Sequence, residues 1–508
     1  MLFALLAAIP TACDDSECED QQQGCGEGAS GASGGNNAGG SGGSGATGGS
    51  GGQGGEGGSV IPSECNPTEG AEIGADCGVF VAAGANGSGT QASPFGTITQ
   101  AAASLGDATR IYVCGSDTFP GSVTVAGGVS ILGGLSCDAW VYTSAQAHPK
   151  ILGDEDVPAL VISGAGNSRL KSLDVEAPDA VADGASSVAV VILQATVDAD
   201  EMNIVANDGR DGAMPPAQEM QLPRAQKGAD GAAEGSAPAN AMGGMNTCGV
   251  VQLVGGLGGE GGDHTAGVKN GGDGGDGDNG AGGQGHSGQT SAEFCVNGDP
   301  GAGINTPANS GGGASDLGEL SVDGISPADG ESGVDGANGT SGGGGGGAMA
   351  NATINGAGGG AGGPGGCGGH GGAGGKGGGS SIAMVSMSAS VSLSAAVTLK
   401  VGGGGTGGGG AKGQLGQQGG FEGMRGTGGV LSDGCLGGAG GKGGTAGNGG
   451  GGRGGHAIAV AYVGPQPTGG TPDMTGASAG DGGVGGDNLA ADPGGQGEPG
   501  IVQPSQVF

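Results

Sequence analysis

Residues 362–391 read GGPGGCGGHGGAGGKGGGSSIAMVSMSASV, six consecutive Gly-Gly-X triplets that run directly into an apolar strand-like segment. The two halves obey different periods. A triplet period suits polyproline II, which has three residues per turn, so glycine occupies two edges and a side chain the third. Two bare edges allow neighbouring chains to approach closely and exchange N–H···O and Cα–H···O contacts. Against this stands the backbone entropy of glycine, about 1–2 kcal/mol per ordered residue, which leaves polyproline-II-like strands and disordered excursions as the two expectations. Collagen is excluded, because Pro numbers only 22 in the chain and the triplets break repeatedly, as in GAKGQLGQQGGFEG.

The apolar half recurs. SSVAVVILQATV from Ser186 aligns without a gap to SSIAMVSMSASV from Ser380, and HAIAVAYVG from His456 is a shorter third copy. AGGKGG begins at Ala373 and again at Ala439, ahead of the second and third copies. The glycine-rich chain between the copies therefore reads as long excursions that leave and rejoin one stack of strands. Upstream, RIYVCG starts at Arg110, SILGGL at Ser130, KILGDE at Lys150 and RLKSLDVEA at Arg169, a recurrence of about 20 residues, with SVTVAGG and ALVISGA between. Short Val/Ile/Leu runs divided by Gly, Asn and Asp suit coils whose inward aliphatics stack one rung above another. The spacing predicts an all-β fold, a right-handed parallel β-helix (solenoid) with long glycine-rich excursions; an antiparallel sandwich is the alternative.

Ahead of these strands lies SPFGTITQAAASLG, with Ser93 as helix N-cap, Pro94 as first helical residue, and Ile98, Ala101, Ala102 and Leu105 along one apolar face. With the preceding Asn-Gly-Ser-Gly turn, this segment resembles the start of secreted bacterial parallel β-helices of the pectate-lyase-like type. The resemblance implies a helix capping the first coil and, as a functional alternative, a polysaccharide lyase or glycosidase.

Composition limits the rest. Of 508 residues 140 are Gly and only 2% are aromatic, so no single large globular core can be assembled. Asp and Glu total 49 against 14 Lys and Arg, a formal net charge of -35 that leaves no basic groove for phosphates and excludes nucleic acid as a partner. Residues 243–455 resemble in composition the glycine-rich surface proteins of the PE-PGRS type, although the helical domain that opens that family is missing.

At the N-terminus an apolar run from Leu2 to Ile9 is too short to span a bilayer and ends at Thr11, Ala12 and Cys13. It resembles a bacterial lipoprotein signal, with Pro10 where such signals usually carry Leu. The resemblance implies lipidation of Cys13, export, and a membrane anchor at the cell surface or outer membrane; the alternative is an ordinary secretory signal and a secreted protein. Removing Cys13 from the eleven cysteines leaves ten, Cys18, Cys25, Cys65, Cys77, Cys114, Cys137, Cys248, Cys295, Cys367 and Cys435, an even set suited to disulfides in an oxidising compartment, for example Cys367 with Cys435. None of them shows the tight spacing of a zinc knuckle.

Candidate chemistry is sparse. NGGDGGDGDNG, residues 270–280, offers Asp273, Asp276 and Asp278 as hard oxygen ligands for calcium, resembling a single copy of the β-roll repeat, but Asp278 stands where that repeat needs a large apolar residue. Asp154, Asp156, Asp174, Lys150, Arg169 and Lys171 form a grouping that could cradle a uronide with calcium, or simply a polar corner of the stack. His286 and His370 sit within triplets, while His148, His264 and His456 read as surface residues. No catalytic residue and no cofactor is assigned.

The chain divides into a signal segment (1–13), an acidic then Gly/Ser-rich tether (14–60), a β-helix with its capping helix (61–210), a glycine-rich excursion (211–379), returning strands with a second excursion (380–464) and a glycine-rich tail (465–508). The function expected is a structural, adhesive or envelope-interaction role at the cell surface. Extracellular polysaccharide or other envelope components are the expected partners. Two alternatives are the polysaccharide-cleaving enzyme and a carbohydrate- or ice-binding scaffold, although the regular Thr-x-Thr arrays of ice binders are absent.

Overall fold

The computed structural model describes residues 65–267, 269–487 and 492–508. The segments read from sequence as a signal (1–13) and a tether (14–60), with Cys13, Cys18 and Cys25, lie outside the described residues. Parallel strands dominate the regular structure. One sheet follows the order Val79–Val81, Arg110–Cys114, Ser130–Leu135, Asn167–Ala177, Thr196–Ala206, Ser390–Val401 and Thr468–Asp473, with Thr118–Pro120 and Lys150–Leu152 pairing alongside. A second sheet runs Val123–Ala126, Leu160–Ser163, Ser187–Leu193, Ser381–Met387, Ala457–Val463 and Val502–Val507. From Val123 onward the chain passes back and forth between the two sheets. Their facing aliphatics, among them Ile131, Leu170, Val197 and Leu393 from one and Leu160, Ile162, Val190 and Met384 from the other, share one buried core.

The closed right-handed coil expected from the recurring strands is not found: the structure is two parallel sheets without a closed solenoid. The physical reason lies in the register. Arg110 pairs with Ser130 twenty residues on, but Ile131 next meets Leu170, and Lys150 pairs with Thr118 on one side and Asp174 on the other. The apparent 20-residue recurrence thus mixes strands that occupy different places in the sheet, and no constant period exists to wind a uniform coil.

The gapless alignment of the apolar copies, by contrast, coincides with the observed register: Ser381 lies beside Ser187 and Ala457, and Val385 beside Val191 and Ala461. These strands are apolar on both faces because both are covered. Val188, Val191, Ile382, Val385 and Ile458 form an outer cluster with Ile325, from the antiparallel hairpin Glu319–Ser321 and Gly324–Ser326.

The capping helix starts later than expected. It spans Ile98–Ala103, and its N-cap is Thr97, whose Oγ1 accepts the Gln100 amide at 3.1 Å, in place of Ser93. Phe95 is already committed as extended chain beside Val81, donating to Phe80 and accepting from Ala82, so helical turns can begin only after it. Ile98 and Ala101 then bury themselves in the shared core.

The glycine triplets carry neither α-helix nor strand, yet they are hydrogen-bonded throughout residues 360–378. Every third residue serves the same neighbour. Amides of Gly330, Gly333, Gly336, Gly339 and Gly342 donate to Gly375, Gly372, Gly369, Gly366 and Gly363, so residues 330–342 run antiparallel beside this segment. The amides of Gly363, Gly366, Gly369, Gly372 and Gly375 donate in turn to Gly438, Gly441, Gly444, Gly447 and Gly450, a parallel neighbour. Carbonyls at Pro364, Cys367, His370, Ala373 and Lys376 accept from Gly420, Gln417, Gln414, Ala411 and Gly408, a third neighbour. In each triplet the second glycine thus serves two neighbours and the third residue serves another, a strict three-residue repeat that matches the three-per-turn geometry of polyproline II packed as a bundle. The AGGKGG copies do not lie side by side in it, because the bundle pairs residues 75 apart, as Gly363 with Gly438, whereas the copies are displaced by nine residues fewer.

Four disulfides join the described cysteines: Cys65–Cys77, Cys114–Cys137, Cys248–Cys367 and Cys295–Cys435. The Cys367–Cys435 link suggested by sequence is therefore not made. Cys367 reaches across the bundle to the hairpin Met245–Cys248 and Val251–Val254, and Cys435 to the loop at residue 295.

Candidate functional site

The six charged residues grouped from sequence do not converge. Asp154 accepts the Ser122 amide at 3.1 Å, and Asp156 accepts the amides of Val181 and Ala182, so both hold turns together. Arg169 reaches Asn66 at 2.7 Å, and Lys150 pairs with Glu176 at 2.8 Å. What the structure does bring together is a polar network on the outward face of Asn167–Ala177 and Thr196–Ala206. Lys171, which is 6% exposed, donates to Asp200 at 2.6 Å and to Glu201 at 3.1 Å. Glu201 also accepts the Tyr142 hydroxyl at 2.5 Å and the Ser172 hydroxyl at 2.7 Å.

Two backbone exceptions build this network. Ser172 and Glu201 take φ of 49° and 52°, and Gly134 on the strand before them takes 72°. A positive φ at that level bends each strand and turns the next side chain out of alternation, which is how Asp200 and Glu201, adjacent in sequence, both reach one ammonium. Burial opposes ionisation of Glu201, but the Tyr142, Ser172 and Lys171 donors together outweigh it and hold the carboxyl below its usual range. Desolvation likewise pushes Lys171 down, while Asp200 and Glu201 more than restore it. A second network lies alongside: His148 Nδ1 meets Asp174 at 3.1 Å, Asn203 donates to Asp174 at 2.9 Å, and Thr398 donates to Asn203 at 2.7 Å.

Lys150 and Lys171 on this face are thus both engaged by carboxylates. Such a face offers amides, hydroxyls and carboxylate oxygens to a hydroxyl-rich ligand, with Lys400 exposed on the adjacent strand Ser390–Val401. Tyr142, Ser172, Asp200, Glu201 and Asn203 escaped the sequence reading. The acidic step DADE was its only visible signal, and the bend that joins it to Lys171 has none.

The calcium candidates sit in the bundle as hydrogen-bond acceptors. Asp273 accepts the Gly288 amide at 2.9 Å, Asp276 the Gly285 amide at 2.8 Å, and Asp278 takes the Val254 amide together with the amide and hydroxyl of Ser341. Among the described residues no group of three or more His, Cys, Asp or Glu is arranged to hold a metal ion. The same device recurs along the bundle. Gly371 donates to Asp335, Gly368 to Asn338, Gly377 to Asp329, Gly403 to Asp208 and Thr406 to Asp211. Where a triplet strand turns an amide toward no neighbouring carbonyl, a side chain of the adjacent strand supplies the acceptor, which a buried or half-buried amide requires. Part of the acidic surplus is explained this way.

His456 is fully buried, contrary to its reading as a surface residue. Its Nε2 donates to the Leu317 carbonyl at 2.8 Å and its Nδ1 accepts the Ile501 amide at 3.0 Å, a pairing open only to the neutral ring. Burial is the main cause that lowers its pKa, with Arg453 adding to it. The unfolded chain therefore binds a proton that the folded one refuses, so stability is highest above about pH 6.5 and falls as the medium is acidified, by up to about 1.4 kcal/mol per pH unit. Thermal melts taken between neutral and mildly acidic buffer are expected to show this slope in the wild type and a flatter one in His456→Gln, which keeps the donor to Leu317. An identical slope in both proteins would refute the assignment. His148 and His264 also have partners, the latter Asn355 at 2.6 Å, whereas His370 is exposed.

Compared with known proteins, the chain matches no family model, no curated protein and no solved structure. Among the described residues no helix is long and apolar enough to cross a membrane.

Proposed function

We propose that this chain is an exported, lipid-anchored cell-surface protein serving as a rigid structural, adhesive or envelope-interaction scaffold. The observation that carries the reading is the joining of all eight described cysteines in disulfides, a state kept in oxidising compartments and rare in the cytosol. The likeness of residues 1–13 to a lipoprotein signal, and of residues 243–455 to PE-PGRS-type surface proteins, supports the same placement. Extracellular polysaccharide or another envelope component is the proposed partner, met by the polar face around Asn203 and Thr398, whose amide and hydroxyl groups suit a hydroxyl-rich ligand.

The test uses protein purified from its native envelope without reductant. Thiol titration after denaturation is expected to find almost no free thiol, and intact mass to find a lipid on Cys13 that is lost, with detergent partitioning, in Cys13→Ser. Several reactive thiols, or wild-type protein that stays in the aqueous phase without a lipid mass, would sink the proposal.

A further inference from the structure

The glycine bundle has a vacant place. A groove of about 740 Å³ lies over Gly407, Gly408 and Gly409, with residues 211–214 as one wall and residues 481–484 as the other. Both walls run parallel to the floor. Gly212 donates to Thr406 on one side, while Gly407 and Gly410 donate to Asp481 and Val484 on the other. Three side-by-side triplet strands thus flank an open channel of the kind that, elsewhere in the bundle, holds another strand.

Two observations show that the channel suits a backbone. The outward positions of the floor strand are Thr406, Gly409, Lys412, Leu415, Gln418, Phe421 and Met424, and Gly409 alone among them is bare. A Cβ on its neighbours Gly407, Gly408 and Gly410 would meet backbone oxygens at 2.1, 2.1 and 2.2 Å, so glycine is demanded there by the fold; a Cβ on Gly409 would meet nothing closer than 3.4 Å. Nothing within the described chain requires glycine at this one position, and its absence of side chain is what keeps the channel open. Moreover, among the described residues neither Gly409 nor Gly482, which also lines the groove and is buried, makes a backbone hydrogen bond. Buried Gly482 calls for a partner, and the backbone groups of half-buried Gly409 are open to one.

We propose that this groove binds an extended, glycine-rich polyproline II strand supplied by a partner protein, with Gly-Gly-X sequence. The incoming strand would set its glycines against Gly407–Gly409 and exchange hydrogen bonds with Gly409 and Gly482, continuing the pattern of the bundle. Met214, Val484 and Pro499 on the rim would flank its third residue. Specificity arises from sterics: a strand with Ala in place of one glycine per triplet would press a methyl group into the floor or a wall.

The experiment titrates the full chain with a fluorescent peptide of five Gly-Gly-Ser triplets, read by anisotropy, beside a Gly-Ala-Ser peptide of equal length. Saturable binding of the first and none of the second is expected. Gly409→Leu, which plugs the channel where a Cβ has room, should weaken binding at least about tenfold while the melting temperature is kept. Gln418→Leu, three turns along the same strand, should bind as wild type. The proposal is overturned if the Gly-Gly-Ser peptide does not bind, if Gly409→Leu or the Gly-Ala-Ser peptide binds equally well, or if a neutral oligosaccharide displaces the peptide competitively, which would make the groove a sugar site. It does not rest on export, so its failure leaves the thiol and lipid measurements untouched.

Discussion

Gly369→Ala is expected to destabilise the folded chain by about 3–5 kcal/mol, the sum of overpacking and of the hydrogen bonds that a backbone shift would break. The added methyl group would lie 2.0 Å from the carbonyl oxygen of Gln414. Relief by a side-chain rotation is impossible, because the obstacle is main chain. Moving residue 369 away from Gln414 disturbs its bonds to Gly444 at 3.0 Å and from Gly336 at 2.8 Å. The other glycine of the same triplet is no freer: a Cβ on Gly368 would meet the Gly336 oxygen at 1.8 Å. The control is Gly409→Ala, where room exists and the loss of unfolded-state entropy should leave stability unchanged or raise it by about 0.5 kcal/mol. Denaturant melts of the three proteins decide the matter. If Gly369→Ala unfolds at the wild-type midpoint, the close-packed bundle is wrong.

Breaking a long disulfide should cost as much. Cys248–Cys367 and Cys295–Cys435 close loops of 119 and 140 residues, whereas Cys65–Cys77 closes one of 12. On the chain-entropy account each long link destabilises the unfolded state by about 5 kcal/mol and the short one by about 3 kcal/mol. The glycine segments magnify the importance of this term, since their unfolded chain is freer than any other and hydrogen bonds of about 1 kcal/mol barely offset the ordering cost. Replacing Cys248 and Cys367 together by Ser is therefore expected to lower stability more than replacing Cys65 and Cys77. Amide exchange should locate the loss in residues 330–450 while the core strands such as Ser187–Leu193 stay protected. Equal effects of the two double variants, or a loss confined to the sheets, would contradict the role given to the long links.

The sequence by itself determined the local pieces. Val/Ile-rich runs marked most strands to within a few residues, and their gapless copies at Ser186, Ser380 and His456 carried the register of three neighbouring strands, because residues that stack on one another face the same packing demands. The triplet period determined that glycine-rich chain would present two bare edges. An even set of cysteines implied pairing. Each of these is a property of one segment or of near-identical segments.

Tertiary structure alone decided who lies beside whom when the segments differ. Lys150 has the look of the strand at Ser130, yet it pairs with Thr118 and Asp174, because the turns before it are of unequal length and shift its place in the sheet. Cys367 meets Cys248, and Gly363 meets Gly438 in place of the partner suggested by AGGKGG, because glycine triplets are interchangeable by sequence and only the anchored strands and disulfides fix their offset. Lys171 and Tyr142 both meet Glu201 through a bend at positive φ that no residue type announces at Ser172 or Glu201. Parallel pairing joins residues far apart along the chain, and the length and path of the intervening segment, which no local pattern records, set the partner.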